Sequence, residues 1–161
     1  MNGKLVAGLI VVVALIAGAV LYYTQVYAYY HRVAADDPAA GIWLTPLSSD
    51  EAEQVPVDGF RGIDAETSPL KFRACFTMPT SLATLTETYR VAEEAAPLIA
   101  PGWFDCFDAA EIEAGLAPTG GAVAFLGRQN DPYGIDQIVA VFPDGRGYAW
   151  HRMNACGEAV F

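Results

Sequence analysis

Charged positions are missing from Leu5 through Tyr30, and the stretch Leu5–Leu21 is aliphatic almost without a break. An α-helix rises about 1.5 Å per residue, so roughly 20 such residues cross the ~30 Å hydrocarbon layer of a bilayer. The pattern predicts one membrane-spanning helix within residues 1–35. Tyr22, Tyr23, Tyr27, Tyr29 and Tyr30 follow the aliphatic run. Their rings are apolar and their hydroxyls favour water, which suits the headgroup level of a membrane. Ala17-Gly18-Ala19 has the small residues of a signal-cleavage site, but the apolar run is longer than a signal-peptide core, so a retained anchor is expected. Ala14 and Gly18 form a small-xxx-small pair of the kind that lets helices approach closely.

After the helix the pattern changes. Asp36-Asp37-Pro38 ends the helical run, because proline lacks an amide and restricts the residue before it. With Pro46 and Pro56 limiting regular structure, residues 36–60 read as a connector. Residues 61–161 read as one α+β domain. Leu70–Met78 alternates, with Phe72, Ala74 and Phe76 on one face and Lys71, Arg73 and Cys75 on the other. Ser81–Val91 reads as a short helix followed by extended chain. Asp105–Leu116 reads as a helix, with Asp105 or Asp108 available to cap its free amides. Gly120-Gly121 turns the chain into a short strand, Ala122–Leu126. Ile135–Phe142 and Arg146–Met153 flank Pro143-Asp144-Gly145, a turn sequence that predicts a hairpin. The fold class is therefore an N-terminal transmembrane helix followed by a small antiparallel sheet with one or two covering helices.

Charge sharpens this division. The 161 residues carry 9 Lys/Arg and 19 Asp/Glu, a net −10. Residues 1–35 hold only Lys4 and Arg32, a net +2, which leaves −12 on the rest. A body this acidic has no basic footprint for nucleic acid. It fits a basic protein partner, met with strong salt dependence. The 12 % aromatic content is enough for a packed core and excludes wholesale disorder.

Three cysteines are present, none in a C-x-x-C pair. Cys75 and Cys106 each sit beside aromatic residues expected to meet in the core, so they are the expected bridge, with Cys156 left unpaired. Disulfide use implies an oxidising compartment. Lys4 and the amino terminus favour a cytoplasmic start, Arg32 opposes this weakly, and the cysteines tip the balance toward a periplasmic body.

Chemistry-bearing patterns are sparse. His151, Met153 and Cys156 are ligand types that soft copper accepts. The plainer reading is an edge-strand histidine, a core methionine and a structural thiol. Asn130–Asp136 reads as an Asx-capped turn. With His31 at the membrane edge, a catalytic triad has only His151 to draw on. No Gly-x-Ser-x-Gly, His-Glu-x-x-His or P-loop sequence occurs. No enzyme activity and no cofactor are expected.

Several segments together carry a resemblance: Met1-Asn-Gly-Lys4, Gln25–Tyr30, Phe72-Arg-Ala-Cys-Phe76, Ala100–Phe107, Val141–Arg146 and Ala149-Trp-His151. They resemble an uncharacterised alphaproteobacterial family of single-pass membrane proteins, whose members are sometimes labelled histidine kinase. The kinase label has no support in the residues, which include no ATP-binding glycine box. The resemblance implies an inner-membrane protein with its amino terminus cytoplasmic, and relatives extending past the equivalent of Phe161, with a partner there for Cys156. The expected function is a non-catalytic accessory subunit or assembly factor of an inner-membrane complex, respiratory in one version. Its expected partners are the lipid bilayer, other integral membrane proteins and a basic periplasmic protein. Alternatives are a ligand-sensing module with a pocket lined by Trp103, Tyr148 and Trp150, and a copper chaperone using His151, Met153 and Cys156.

Overall fold

The structure, a computed structural model, describes residues 2–159. The expected segment ends at Met1 and at Val160–Phe161 lie outside the described residues. Helix α1, Gly3–Tyr23, runs on as a wider π-helical turn, Thr24–Ala28. Together they form one helix, Gly3–Ala28, long and apolar enough to cross a membrane. No α1 side chain is buried against the body.

The body is built on a six-stranded antiparallel sheet in the order β1-β4-β5-β8-β7-β6. Its strands are β1 (His31–Val33), β4 (Asp58–Asp64), β5 (Arg73–Thr77), β6 (Val123–Leu126), β7 (Ile135–Val141) and β8 (Arg146–Met153). A two-stranded sheet, β2 (Trp43–Leu44) with β3 (Glu53–Gln54), stands apart from it. Helices α2 (Leu82–Thr88), α3 (Ala109–Leu116) and α4 (Ala155–Glu158) complete the body. This is the α+β class that the alternation predicts.

The central strands explain the layering. All seven residues of β7 are buried, so neither face of the sheet is left to water. Phe72, Ala74, Phe76, Val139, Val141 and Ala149 meet Ile42, Leu44, Val55 and Leu85 on one face. Ile63, Cys75, Ile138, Ala140, Tyr148 and Trp150 meet Phe104, Phe107 and Ile112 on the other. The alternation expected for Leu70–Met78 thus holds, but both of its faces are covered. Two polar residues in β7 stay buried because each has partners. Gln137 accepts from the Trp43 amide at 3.0 Å and donates to the Gly41 carbonyl at 3.2 Å. Asp136 accepts from the Asn130 amide at 3.0 Å and from Asn154 Nδ2 at 2.8 Å. A buried polar group without a partner costs about 1–3 kcal/mol, so Gln137 binds segment 41–43 to the sheet.

The hairpin expectation holds, and the helix expected over Asp105–Leu116 forms but begins at Ala109. Asp108 caps α3, its Oδ1 accepting from the amides of Ala110 at 2.9 Å and Glu111 at 3.2 Å. The β7–β8 hairpin turns at Pro143–Gly145, where Gly145 takes φ 88°.

The domain division differs from the expected one. The long apolar helix ends at Ala28, and Tyr29 and Tyr30 alone separate it from β1. Residues 36–60 are no connector: Ile42 and Leu44 are fully buried, and β2 and β3 lie within them. β2 and β3 are two residues long each, too short for periodicity to register. The folded body therefore begins at His31.

Candidate functional site at the helix–body junction

The residues with the most specific geometry gather where α1 meets the sheet. The last carbonyls of any helix lack intrahelical partners. The Trp103 indole reaches across from the body and donates Nε1–H to the Val26 carbonyl at 2.7 Å. Its ring stacks on Tyr27, with centroids 6.4 Å apart and 21° between planes, and meets Tyr30 edge-on at 6.0 Å. Tyr27 in turn stacks on Tyr23 at 5.9 Å. An aromatic column thus runs from the helix end into the body.

Lys71 closes the other side. Its ammonium lies 5.6 Å from the Tyr29 ring centre and 5.3 Å from that of Tyr30, and it donates to Thr67 Oγ1 at 3.1 Å. A cation over an aromatic face is worth ~0.5–1 kcal/mol at an exposed site. Burial pushes the Tyr30 phenol above its ordinary value, with Asp64 acting in the same direction and Arg73 against it.

Beneath the column lies Arg73, which is buried. Its guanidinium donates to four backbone carbonyls: Phe72 at 2.6 Å, Leu70 at 2.7 Å, Leu98 at 3.0 Å and Ile99 at 3.3 Å. It also lies 5.8 Å from the Phe107 ring centre. Burial lowers its pKa to about 10, an effect that nearby Tyr30 and Asp64 oppose. Two further ties hold the loop that follows. Cys75 on β5 and Cys106 lie at disulfide distance, with Cα atoms 6.3 Å apart. Arg61 pairs with Asp105 at 2.6 Å, and that hydrogen bond lowers the Asp105 pKa. This pair is solvent-exposed and contributes little stability.

Most tyrosines read as a membrane belt are exposed, namely Tyr22, Tyr23, Tyr27 and Tyr29, while Tyr30 is half-buried in the junction. Ala14 and Gly18 lie exposed on α1, and a Cβ added at Gly18 meets nothing within 4 Å. The Cys156 thiol is free and exposed on α4. His151 donates Nδ1–H to the Pro69 carbonyl at 2.9 Å and stacks on Phe72 at 4.7 Å. Burial lowers its pKa, which favours the neutral ring. Met153 ends β8, opposite Ile135. Among the described residues, no three His, Cys, Asp or Glu side chains gather to hold a metal ion. The expected aromatic pocket is not formed either: Trp150 is fully buried, Tyr148 packs on Phe107 and Phe142, and Trp103 belongs to the junction. A polar recess of about 190 Å³ lies elsewhere, lined by Trp43, Asp64, Arg128, Gln137 and His151. Its polar groups already serve the fold, with Arg128 stacked over Trp43 at 4.0 Å and paired with Asp131 at 2.8 Å.

Sequence reasoning missed the roles of Trp103, Lys71 and Arg73. The alternating cations Lys71 and Arg73 carried the available signal, since they face tyrosines only if the strand lies beside the helix end. Elsewhere the body's cations are mostly spoken for: Arg61, Arg90, Arg128, Arg146 and Arg152 all pair with acids. Glu51, Glu66, Glu87, Glu93 and Glu113 remain exposed, so the surface away from the junction is acidic.

Residues 42–161 match the model of a family described as a family of unknown function, DUF6446. No curated protein and no solved structure matches the chain.

Proposed function

The chain belongs to DUF6446, a family of unknown function, and from that premise and the junction geometry we propose that it is a non-catalytic, membrane-anchored accessory or assembly protein. It serves a complex of the bacterial inner membrane, with its amino terminus cytoplasmic and its body periplasmic. One observation carries this reading: α1 leaves every side chain free for lipid or neighbouring helices, yet its end is fastened to the body by Trp103 and Lys71. A plain tether needs no such fastening, because a flexible linker serves it as well. A fastened helix instead sets how the body is presented to something else in the same membrane. The Ala14–Gly18 face supplies a place for a neighbouring helix to approach. The acidic outer surface supplies attraction for a basic partner at the membrane surface.

The test is recovery of the tagged full chain in mild detergent, followed by mass spectrometry of what comes with it. Stoichiometric co-recovery of integral membrane subunits is the expected result, and Gly18→Leu reduces it. A lone monomer in every mild detergent overturns the reading. The topology is checked with a membrane-impermeant thiol reagent on Cys156, which labels once the outer membrane is opened. Labelling only after inner-membrane lysis places the body on the other side.

A further inference from the structure

Ten consecutive residues, 95–104, carry no charge. They form an irregular loop between α2 and α3, and two of their aliphatic side chains face outward: Ile99 is 83 % exposed and Leu98 38 %. A scattered exposed aliphatic is ordinary on a protein surface, but this adjacent pair sits beside a helix long and apolar enough to span a membrane. Four residues after Ile99, Trp103 is bonded to the Val26 carbonyl at the helix end, and Ala100 and Trp103 pack in the same cluster as Tyr30. The loop thus leaves the body on the side where α1 enters, level with the tyrosine belt.

We propose that loop 95–104 is a second membrane contact, with Leu98 and Ile99 immersed at the headgroup–acyl boundary beside the exit of α1. The backbone is prepared for this. Carbonyls entering an apolar medium need partners, and those of Leu98 and Ile99 are the ones that Arg73 holds from inside the body. The aliphatic side chains stay outside while their polar backbone is satisfied from behind. Aliphatic and tryptophan side chains side by side are the usual equipment of an interfacial anchor. Charges bracket the loop and limit its depth: Glu93 and Glu94 precede it, Asp105 follows, and all three are exposed. The Cys75–Cys106 pair and the Arg61–Asp105 pair fix its far end to the sheet. The occupant is lipid, because the same loop, through Trp103, stacks on Tyr27 at the end of the spanning helix. The body then rests on the bilayer at two points.

The proposal rests on α1 spanning the bilayer, and the experiment separates the two. The full chain carries Cys156→Ser, which removes the exposed free thiol, and one added cysteine: Ile99→Cys, Val11→Cys on α1, or Glu87→Cys on α2. Each is labelled with a polarity-sensitive fluorophore in nanodiscs of phosphatidylcholine and phosphatidylglycerol. All three positions are exposed, so the labels remove no packing, and an unchanged near-ultraviolet dichroism spectrum verifies the fold. At position 99, as at 11, quenching by nitroxide lipids and loss of quenching by aqueous iodide are expected, and the reverse at 87. If position 99 follows 87 while 11 follows the lipid, the immersed loop is overturned and the span stands. If position 11 also follows iodide, the span itself falls, and the loop contact with it.

Discussion

Cys75 and Cys106 are separated by 31 residues and join β5 to the loop that precedes α3. Cutting that cross-link frees the unfolded chain to sample every arrangement in which the two positions are apart. In the chain-entropy model a closed loop of about 31 residues is worth ~3.7 kcal/mol at 25 °C. The folded body keeps most of its packing when the bond is cut, since the sulfurs are one part of a cluster that also holds Phe104, Phe107, Ile112 and Trp150. The effect therefore falls mainly on the unfolded state. With a urea slope of about 1.5 kcal/mol per molar, the unfolding midpoint drops by about 2.5 M. The assay is urea unfolding of the full chain in dodecyl maltoside, followed by tryptophan fluorescence, to which the core indole of Trp150 contributes. Phosphine reductant and the Cys75→Ala/Cys106→Ala variant are both expected to lower the midpoint by similar amounts, with an equal or steeper slope because the opened unfolded chain exposes more surface. Equal midpoints for oxidised, reduced and variant protein refute the cross-link. A midpoint that falls in the variant but not under reductant assigns the loss to packing instead.

Three further outcomes follow from the same geometry. Gly115→Ala in α3 gains up to about 1 kcal/mol in helix propensity, but its new Cβ runs into the buried Phe142 ring. A net loss of ~1–2 kcal/mol by denaturant titration is expected, and any net gain shows that the ring moves freely. Trp103→Phe keeps the ring and removes the bond to Val26, so faster amide exchange from Tyr27 to Tyr30 is expected, with about 1 kcal/mol lost; unchanged exchange there refutes the fastening. His151 has a folded pKa lowered by burial, so the unfolded chain binds its proton first as pH drops. Stability from this group is intact above its ordinary value of about 6.5 and declines as pH falls below it. His151→Gln is expected to flatten that part of the stability–pH curve, and an unaltered curve assigns the acid sensitivity to other groups.

How far these features are legible depends on what each element shows in sequence. The long apolar helix, the β7–β8 hairpin and the Asp108 cap announce themselves through an unbroken apolar run, a Pro-Asp-Gly turn and a side chain at a defined offset. The Cys75–Cys106 pairing is reached through neighbouring aromatics. Strands β1 to β4 leave no such mark. β1, β2 and β3 are two or three residues long, and β4 carries Gly59, Gly62 and two aspartates in Asp58–Asp64. They form because the sheet already present offers edges and Gln137 offers hydrogen bonds, and neither is a local property. Arg73 misleads for a related reason. A charged residue on the alternate face of a strand reads as solvent-facing, and only the fold shows it binding four carbonyls. Trp103 reads as core or pocket because nothing local says that a helix end lies within reach of its indole.

The two-residue join between α1 and β1 bears on how the accessory protein proposed above meets a partner. A domain on a long tether samples every heading, and a partner must wait for the right one. Here Trp103 and Lys71 tie the helix end to the body, which couples rotation of the helix about its axis to the heading of the sheet. On the accessory role proposed above, a neighbour gripping the α1 face bearing Ala14 and Gly18 inside the bilayer sets the compass bearing of the acidic surface outside it. On that proposal, recognition within the membrane and recognition above it become one event.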